Sequence, residues 1–363
     1  MTVRVLVVDD SVVVRRLVTH ALAADPGIDV VGTAANGRLA LAKIEQLAPD
    51  LVTMDIEMPE LDGIAAVRAL RAAGHRMPVV MFSTLTERGA AATLEALSAG
   101  ATDYVAKPTG AGSVHEALGR VAAELVPKIH ALVPTRLGAV RGRPAAAAGD
   151  TTRPSTRGPV RLRPASLRAT PVRLLVLGAS TGGPAALAEV VGALSSPPAV
   201  PVAVVQHMPA VFTRQLADRL DRLGPATVVE ATDGLALRAG HAYVAPGGRH
   251  LTVVADRTGL RARLTDTPPV NYSRPAVDVL FRSAVAALGG AVGAVVLTGM
   301  GSDGAAGSGA VADAGGHVVV QDEQSSVVWG MPGATATAGH AHAVLPLHEI
   351  AAAMERMMSE GLR

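Results

Sequence analysis

The segment Gly178-Ala179-Ser180-Thr181-Gly182 follows an apolar run and precedes a helical pattern. Its glycines allow a sharp backbone turn that leaves the Ser180 hydroxyl exposed. The string fits G-x-S-x-G, in which serine is a nucleophile on a strand-to-helix turn. A glycine-rich turn after a strand could equally cradle a phosphate, although this one has no G-K-[ST] and does not match G-x-G-x-x-G. A serine hydroxyl needs a base, and an imidazole titrating near neutrality suits that role. His207 ends the apolar run VPVAVVQH, and Asp303 lies just past AVGAVVLTG, in the loop GMGSDG. A carboxylate there could fix the imidazole tautomer and stabilise its cation. Each residue also has a plainer use: His207 as a core or capping histidine, Asp303 as the cap of the helical stretch GAAGSGAVADAGG. Convergence of three strand ends on one sheet edge favours chemistry. The chain order Ser, His, Asp differs from that of α/β-hydrolases, chymotrypsin and subtilisin, so a standard α/β-hydrolase fits poorly.

A second constellation lies in the first third of the chain. Asp9 and Asp10 end one apolar run and Asp55 ends another, in MDIEMP. Ser83 ends a third, and Lys107 follows a fourth just before Pro108. In a parallel sheet these ends share one edge, where ligands bind. Two carboxylates about 4 Å apart repel by roughly 4 kcal/mol at an effective dielectric near 20. A hard divalent cation such as Mg²⁺ offsets that repulsion through oxygen ligation. A carboxylate beside such a cation can accept a phosphoryl group, with the Lys107 ammonium and the Ser83 hydroxyl available to bind it.

The elements that must position these residues fall into two blocks. In the first, VRVLVV, IDVVGTA, LVTMD, MPVVMFS and DYVAKP alternate with five helical patterns, the last opening with a capping box from Ser113 to Glu116. Such alternation predicts a doubly wound parallel sheet. The second block has apolar runs at VRLLVLGAS, VPVAVVQH, GHAYVAP, HLTVVAD, AVGAVVLTG and HVVVQD. It predicts a mainly parallel α/β domain, again doubly wound. Between Pro134 and Thr170 the periodicity stops, in a stretch with eight Arg, five Pro and one acid, which reads as a solvated tether. The expected boundaries are 1–128, a basic linker over 129–170, and 171–363.

Bulk composition agrees. Aromatics are 2% of the 363 residues and hydrophobic residues 49%, so the cores must be aliphatic. The absence of cysteine excludes disulfides and thiol catalysis. A formal charge of +2 does not itself call for nucleic acid. No apolar run is long enough to span a bilayer, and the N-terminus reads as a strand. A cytoplasmic protein without direct membrane insertion is expected.

The segments VDDS, MDIEMPELDG, FSTLT and DYVAKP resemble those of response-regulator receiver domains. The resemblance implies Asp55 as the phosphorylation site, Asp9, Asp10 and Asp55 around Mg²⁺, and Ser83, Tyr104 and Lys107 as switch residues. GASTGG, QHMP and LTGMGSDG, in that order behind a receiver, resemble the protein-glutamate methylesterases of chemotaxis, as do HAYVAPGGRHL, PPVNYSRPAVDVLF and GMPGATA. This implies Ser180 as nucleophile, His207 as base and Asp303 as orienter. It also implies the backbone N–H of Met300 in an oxyanion hole, Thr181 as support, and no cofactor for the esterase step. The implied substrates are γ-methyl glutamate esters, and glutamines, on the cytoplasmic helices of chemoreceptors. The implied upstream partner is a histidine kinase of the chemotaxis type. Arg274, in NYSRP, could contact an acidic substrate or be structural. Three rival readings remain: a DNA-binding regulator using the Arg-rich linker, a non-catalytic scaffold, and an esterase for another methyl or acyl ester. The first lacks a helix-turn-helix signature and stacking aromatics in the linker. The second does not use the Ser, His and Asp.

Overall fold

The computed structural model describes residues 2–107, 114–133, 160–164 and 170–359. The N-terminal unit contains strands β1 (Val3–Val8), β2 (Ile28–Ala34), β3 (Leu51–Asp55), β4 (Val79–Ser83) and β5 (Asp103–Ala106). They alternate with helices α1 (Val12–Ala23), α2 (Gly37–Leu47), α3 (Gly63–Ala72), α4 (Glu87–Ser98) and α5 (Val114–Leu132). The sheet is parallel with order β2-β1-β3-β4-β5. Strands β3 and β4 are buried along their whole length, which explains why they read as continuous apolar runs rather than alternating ones. Helix starts follow the local chemistry: Ser11, Asn36, Asp62 and Thr86 each accept a backbone N–H of the first turn. The expected cap at Ser113 lies outside the described residues. So does most of the proposed linker, while α5 continues to Leu132.

The C-terminal unit begins with β6 (Leu174–Ala179) and continues through α6 (Gly183–Gly192), β7 (Val202–Gln206), α7 (Ala210–Leu220), β8 (Thr227–Glu230) and β9 (His241–Val244). Then come the hairpin β10 (His250–Asp256) and β11 (Gly259–Thr265), α8 (Val277–Leu288), β12 (Val292–Val296), α9 (Ala305–Asp313), β13 (His317–Gln321), α10 (Met331–Thr337), β14 (Ala343–Leu345) and α11 (Leu347–Ser359). Seven strands form a parallel sheet of order β14-β13-β12-β6-β7-β9-β8. The chain starts in the middle, at β6, builds outward through β7, and returns to β12 on the other side. The β6/β12 boundary is therefore a topological switch point, where a crevice opens at the carboxyl ends of the strands. Every residue of β6 is buried. Each of its Leu and Val side chains is worth about 1.5–3 kcal/mol in removal from water.

One expected strand behaves differently. HLTVVAD pairs antiparallel with β11 in a separate two-stranded sheet. Its alternation accounts for this: Leu251, Val253, Leu260 and Ala262 face Leu280, Phe281 and Ala284 of α8, while Asp256 and Arg261 face outward. The hairpin thus buttresses the helix whose N-terminus reaches the crevice.

The two units pack on each other. Helix α4 lies against α6 and α7, with Leu94 and Leu97 sharing a core with Leu187, Val190 and Leu216. The Tyr104 ring stacks on Phe212 with centroids 4.6 Å apart at 21°. Arg219 Nη1 donates to the Leu94 carbonyl at 2.6 Å.

Candidate active site

Strand β6 delivers Ser180 to the crevice. Gly182 follows in the left-handed region (φ 77°) and starts α6, a conformation that glycine adopts without strain. The Ser180 N–H donates to the Thr298 carbonyl at 3.0 Å, and the Gly183 N–H donates to the Ser180 carbonyl at 2.7 Å. Gly299 backs onto the nucleophile candidate: a Cβ there would sit 2.9 Å from Ser180 Cβ. His207 follows β7 and donates its backbone N–H to the Ala179 carbonyl at 3.1 Å, so the two loops are pinned side by side.

Asp303, 2% exposed, lies beyond β12. Its Oδ2 is 2.8 Å from His207 Nε2 and accepts the Val277 N–H at 2.7 Å. Its Oδ1 accepts Asn271 Nδ2 at 2.9 Å and the Asp278 and Gly304 N–H groups at 3.0 Å each. Val277 and Asp278 open α8, so the carboxylate sits at a helix N-terminus, where negative charge is favoured. Burial alone would raise the Asp303 carboxyl, but the hydrogen bond and charge of His207 and the two α8 amides outweigh it and hold it below its ordinary value. The helix that Asp303 serves is therefore α8. The helix expected from the sequence, α9, has Gly304 as its N-cap instead.

Since Nε2 faces the carboxylate, Nδ1 is the ring nitrogen left for other work, the reverse of the chymotrypsin arrangement. Nδ1 lies 3.4 Å from Ser273 Oγ. The Ser180 hydroxyl makes no hydrogen bond among the described residues, and Ser180 and His207 share one cavity of about 670 Å³. Met300 and Thr181 also line it, and their backbone N–H groups donate to no acceptor among the described residues. Thr181 is buried, and its carbonyl accepts the Thr298 hydroxyl at 2.9 Å. Arg274 Nη1 donates to the carbonyls of Asp266 and Thr267 at 3.1 and 3.2 Å, which gives it a structural use in its own loop.

Three supporting residues were not singled out from the sequence. Gln206, buried beneath the site, donates Nε2 to the Ser180 carbonyl at 2.9 Å and to the His207 carbonyl at 3.3 Å, tying the two loops together. Gly183 accommodates that amide: a Cβ there would meet Gln206 Oε1 at 1.9 Å. Asn271 and Asp278 hold one another at 3.0 Å and flank Asp303. Gln206 stands next to His207 in QHMP, and Asn271 opens NYSRP, so those strings carried the only available signal.

The opposite wall of the cavity belongs to the N-terminal unit: Asp103, Tyr104, Ala123, Glu124 and Lys128. Lys128 Nζ binds Asp103 Oδ2 at 2.9 Å and the Tyr104 carbonyl at 2.7 Å. Further off lies the acidic constellation. Carboxylate oxygens of Asp9, Asp10 and Asp55 lie within 4.8 Å of one another. Lys107 Nζ reaches Asp55 Oδ1 at 2.8 Å and Asp9 Oδ2 at 3.0 Å. Asp9 Oδ2 is buried with the Lys107 ammonium as its ion-pair partner, and three carboxylates against that ammonium leave negative charge that a hard cation would offset. Burial, then the neighbouring Asp9, push the Asp55 carboxyl up to about 6 against the pull of Lys107. Ser83 is turned toward α4, where its hydroxyl donates to the Gly89 carbonyl at 3.2 Å and accepts from Thr93 Oγ1 at 2.7 Å.

A receiver sheet with its acidic pocket, fused to a parallel α/β unit with Ser, His and Asp at a switch-point crevice, defines a receiver-bearing hydrolase class. Residues 175–354 match the CheB methylesterase family and residues 5–119 the response regulator receiver domain. A Nocardioides protein named protein-glutamate methylesterase/protein-glutamine glutaminase is 59% identical over 96% of this chain and 93% of its own length. A Trichodesmium erythraeum protein of the same name is 42% identical over 96% and 97%. The Thermotoga maritima CheB methylesterase catalytic domain aligns with 51% of this chain and 98% of its own, at a TM-score of 0.50 and 38% identity. The chain belongs to the CheB methylesterase family and is a carboxylic ester hydrolase. Among the described residues, no helix is long and apolar enough to cross a membrane.

Proposed function

We propose that this chain hydrolyses γ-methyl glutamate esters on the cytoplasmic helices of chemoreceptors, in the cytoplasm, under control of phosphorylation at Asp55. The observation that carries the reading is the buried Asp303, bonded to His207 at 2.8 Å beside Ser180 in one crevice. Ser180 Oγ attacks the ester carbonyl while His207 Nδ1 takes its proton, and Asp303 holds Nε2–H and offsets the imidazolium charge. For this, the imidazole must leave Ser273 Oγ and align with Ser180, a side-chain movement within the cavity. The N–H groups of Met300 and Thr181 receive the developing oxyanion. His207 then protonates the departing methoxide, methanol leaves, and water activated by the same nitrogen releases glutamate. A primary amide at the same position gives ammonia and glutamate by the same steps, which is the glutaminase reaction in the relatives' name.

Asp9, Asp10 and Asp55 would hold Mg²⁺, which supplies charge neutralisation for phosphoryl transfer from a histidine kinase of the chemotaxis type. Lys107 and Ser83 bind the phosphoryl oxygens. Turning Ser83 away from Gly89 and Thr93 alters the α4 and Tyr104 surface that packs on Phe212 and walls the crevice. Phosphorylation thereby shifts the population toward an open crevice. In this division of labour the receiver spans 1–128, extended by α5 to Leu132, the linker follows to 170, and the esterase spans 171–363.

The test is methanol release from a methylated receptor cytoplasmic fragment, with Mg²⁺, with and without a small-molecule phosphodonor. Wild type should release methanol faster with phosphodonor. Ser180→Ala should release none, and Asp55→Ala should ignore the phosphodonor. Undiminished release by Ser180→Ala would defeat the serine mechanism. Binding of duplex DNA by the linker, with no esterase activity, would favour the DNA-binding alternative.

A further inference from the structure

Two consecutive non-glycine residues, Asn271 and Tyr272, sit in the left-handed region (φ 50° and 61°). That conformation strains a bulky side chain and persists only where surrounding structure enforces it. The enforcement is visible. Val270 and Ser273 exchange backbone hydrogen bonds at 3.1 and 2.9 Å, and the Gly248 N–H grips the Arg274 carbonyl at 3.0 Å. Asn271 spends its amide on Asp303 and Asp278, and Ser273 approaches His207. The turn is thus fastened to both the acid and the imidazole of the site. Tyr272 is the residue between those two fastenings, and its side chain contributes to neither. Its ring is fully exposed (104%) at the rim of the cavity that holds Ser180 and His207, and its phenol has no hydrogen-bond partner among the described residues. Only three tyrosines occur in the chain. The other two are buried, against Phe212 and in the core beside β8.

We infer that Tyr272 is the substrate-gripping residue: its ring packs on the receptor helix beside the ester-bearing side chain. This rests on the methylesterase reading and names the contact that would make that site select a helix. A methylated glutamyl side chain offers a methylene stem and a methyl group, and the helix around it offers further aliphatic surface. An aromatic ring presents large apolar area at little conformational cost. Because the turn carrying it is fastened through Asn271 to Asp303, helix docking on the ring sets the ester beside the acid that holds His207. Met300, half-exposed on the same cavity, lines it with a second apolar side chain.

The experiment uses the full-length protein with Mg²⁺ and phosphodonor, following methanol release across a range of methylated receptor fragment. Tyr272→Ala should raise KM about tenfold, or about 1.4 kcal/mol, with kcat within threefold of wild type. Tyr272→Phe should stay within threefold of wild type in both constants. Tyr272→Gly should share the KM defect while melting at a higher temperature, since glycine relieves the strain. An unchanged KM in Tyr272→Ala overturns the inference. So does a fall in kcat at constant KM, which would mark the ring as a prop for His207, and so does a Phe variant as impaired as Ala. If wild type itself releases no methanol, the methylesterase reading fails and this assignment falls with it. Release by wild type with an unaltered Ala variant sinks the assignment alone.

Discussion

Replacing Asp303 with asparagine isolates what the carboxylate does. Five donors converge on its two oxygens: three on Oδ1 (Asn271 Nδ2 and the Asp278 and Gly304 amides) and two on Oδ2 (His207 Nε2 and the Val277 amide). An asparagine can satisfy only one of these sets with its single oxygen. Keeping that oxygen on the three-donor side turns its NH₂ toward His207 and the Val277 N–H. His207 Nε2 must then accept a hydrogen bond, so the ring proton moves to Nδ1, the nitrogen that the mechanism needs free. A wrong tautomer in a serine triad costs about 10⁴ in kcat, or about 5.5 kcal/mol. The orphaned Val277 amide adds a stability penalty of about 1–3 kcal/mol. For a unit of this size, that lowers the melting temperature by roughly 2–12 °C. Methanol release should therefore show kcat down 10³–10⁴-fold with KM within a few-fold, and the defect should persist at alkaline pH because the proton is misplaced rather than in excess. A kcat within tenfold of wild type would refute the tautomer argument and the role of Asp303 with it.

Other perturbations follow from the same geometry. Gly183→Ala places a Cβ 1.9 Å from Gln206 Oε1, so it should displace the tie between the Ser180 and His207 loops, lower stability by about 1–3 kcal/mol and cut kcat with little change in KM; a normal melting curve and rate would contradict this. Arg219→Met keeps the aliphatic stem but loses the bond to the Leu94 carbonyl. The rate without phosphodonor should rise several-fold, for about 1 kcal/mol of lost inter-unit contact, and an unchanged rate would count against occlusion by the receiver. His342 accepts the Val318 N–H through Nδ1 and stacks on His317 at 4.6 Å. Burial, then His317 and Arg163, push its imidazole from 6.5 down to about 4. A depressed imidazole means that the unfolded chain binds the extra proton, so stability is complete above pH 6.5 and declines as pH falls from 6.5 toward 4. His342 is only partly buried, so the decline is about 0.5 kcal/mol per pH unit after allowance for screening. His342→Asn, which keeps an acceptor for Val318, should flatten the pH dependence of chemical denaturation between pH 7 and 5; an unaltered slope would refute the assignment.

The parallel sheets were legible because buried parallel strands read as unbroken apolar runs, and because Ser180, His207, Asp303, Asp9, Asp55 and Lys107 all follow such runs. The short edge strands β8 and β14 carry too little apolar pattern to be seen, and the run HLTVVAD does not reveal that β10 pairs with β11 outside the main sheet. Of the site, its strand-end residues were readable and its fastenings were not. Gln206 acts through an amide directed at two backbone carbonyls, and Asn271 through a left-handed turn, neither of which a residue type reveals. The ring orientation of His207 was equally hidden, since the tautomer is set by which nitrogen meets Asp303. The wall that the receiver contributes depends on tertiary docking between α4 and α7, which no local pattern encodes.

In the proposed mechanism, Ser180, His207 and Asp303 form one proton-handling chain whose access the receiver controls. A fluorophosphonate ester, which labels only activated serines, tests it directly when the adduct is located by peptide mass spectrometry. One adduct at Ser180 is expected, forming faster with Mg²⁺ and phosphodonor and abolished by His207→Gln. Labelling at another serine, or labelling of Ser180 that persists without His207, would contradict the account.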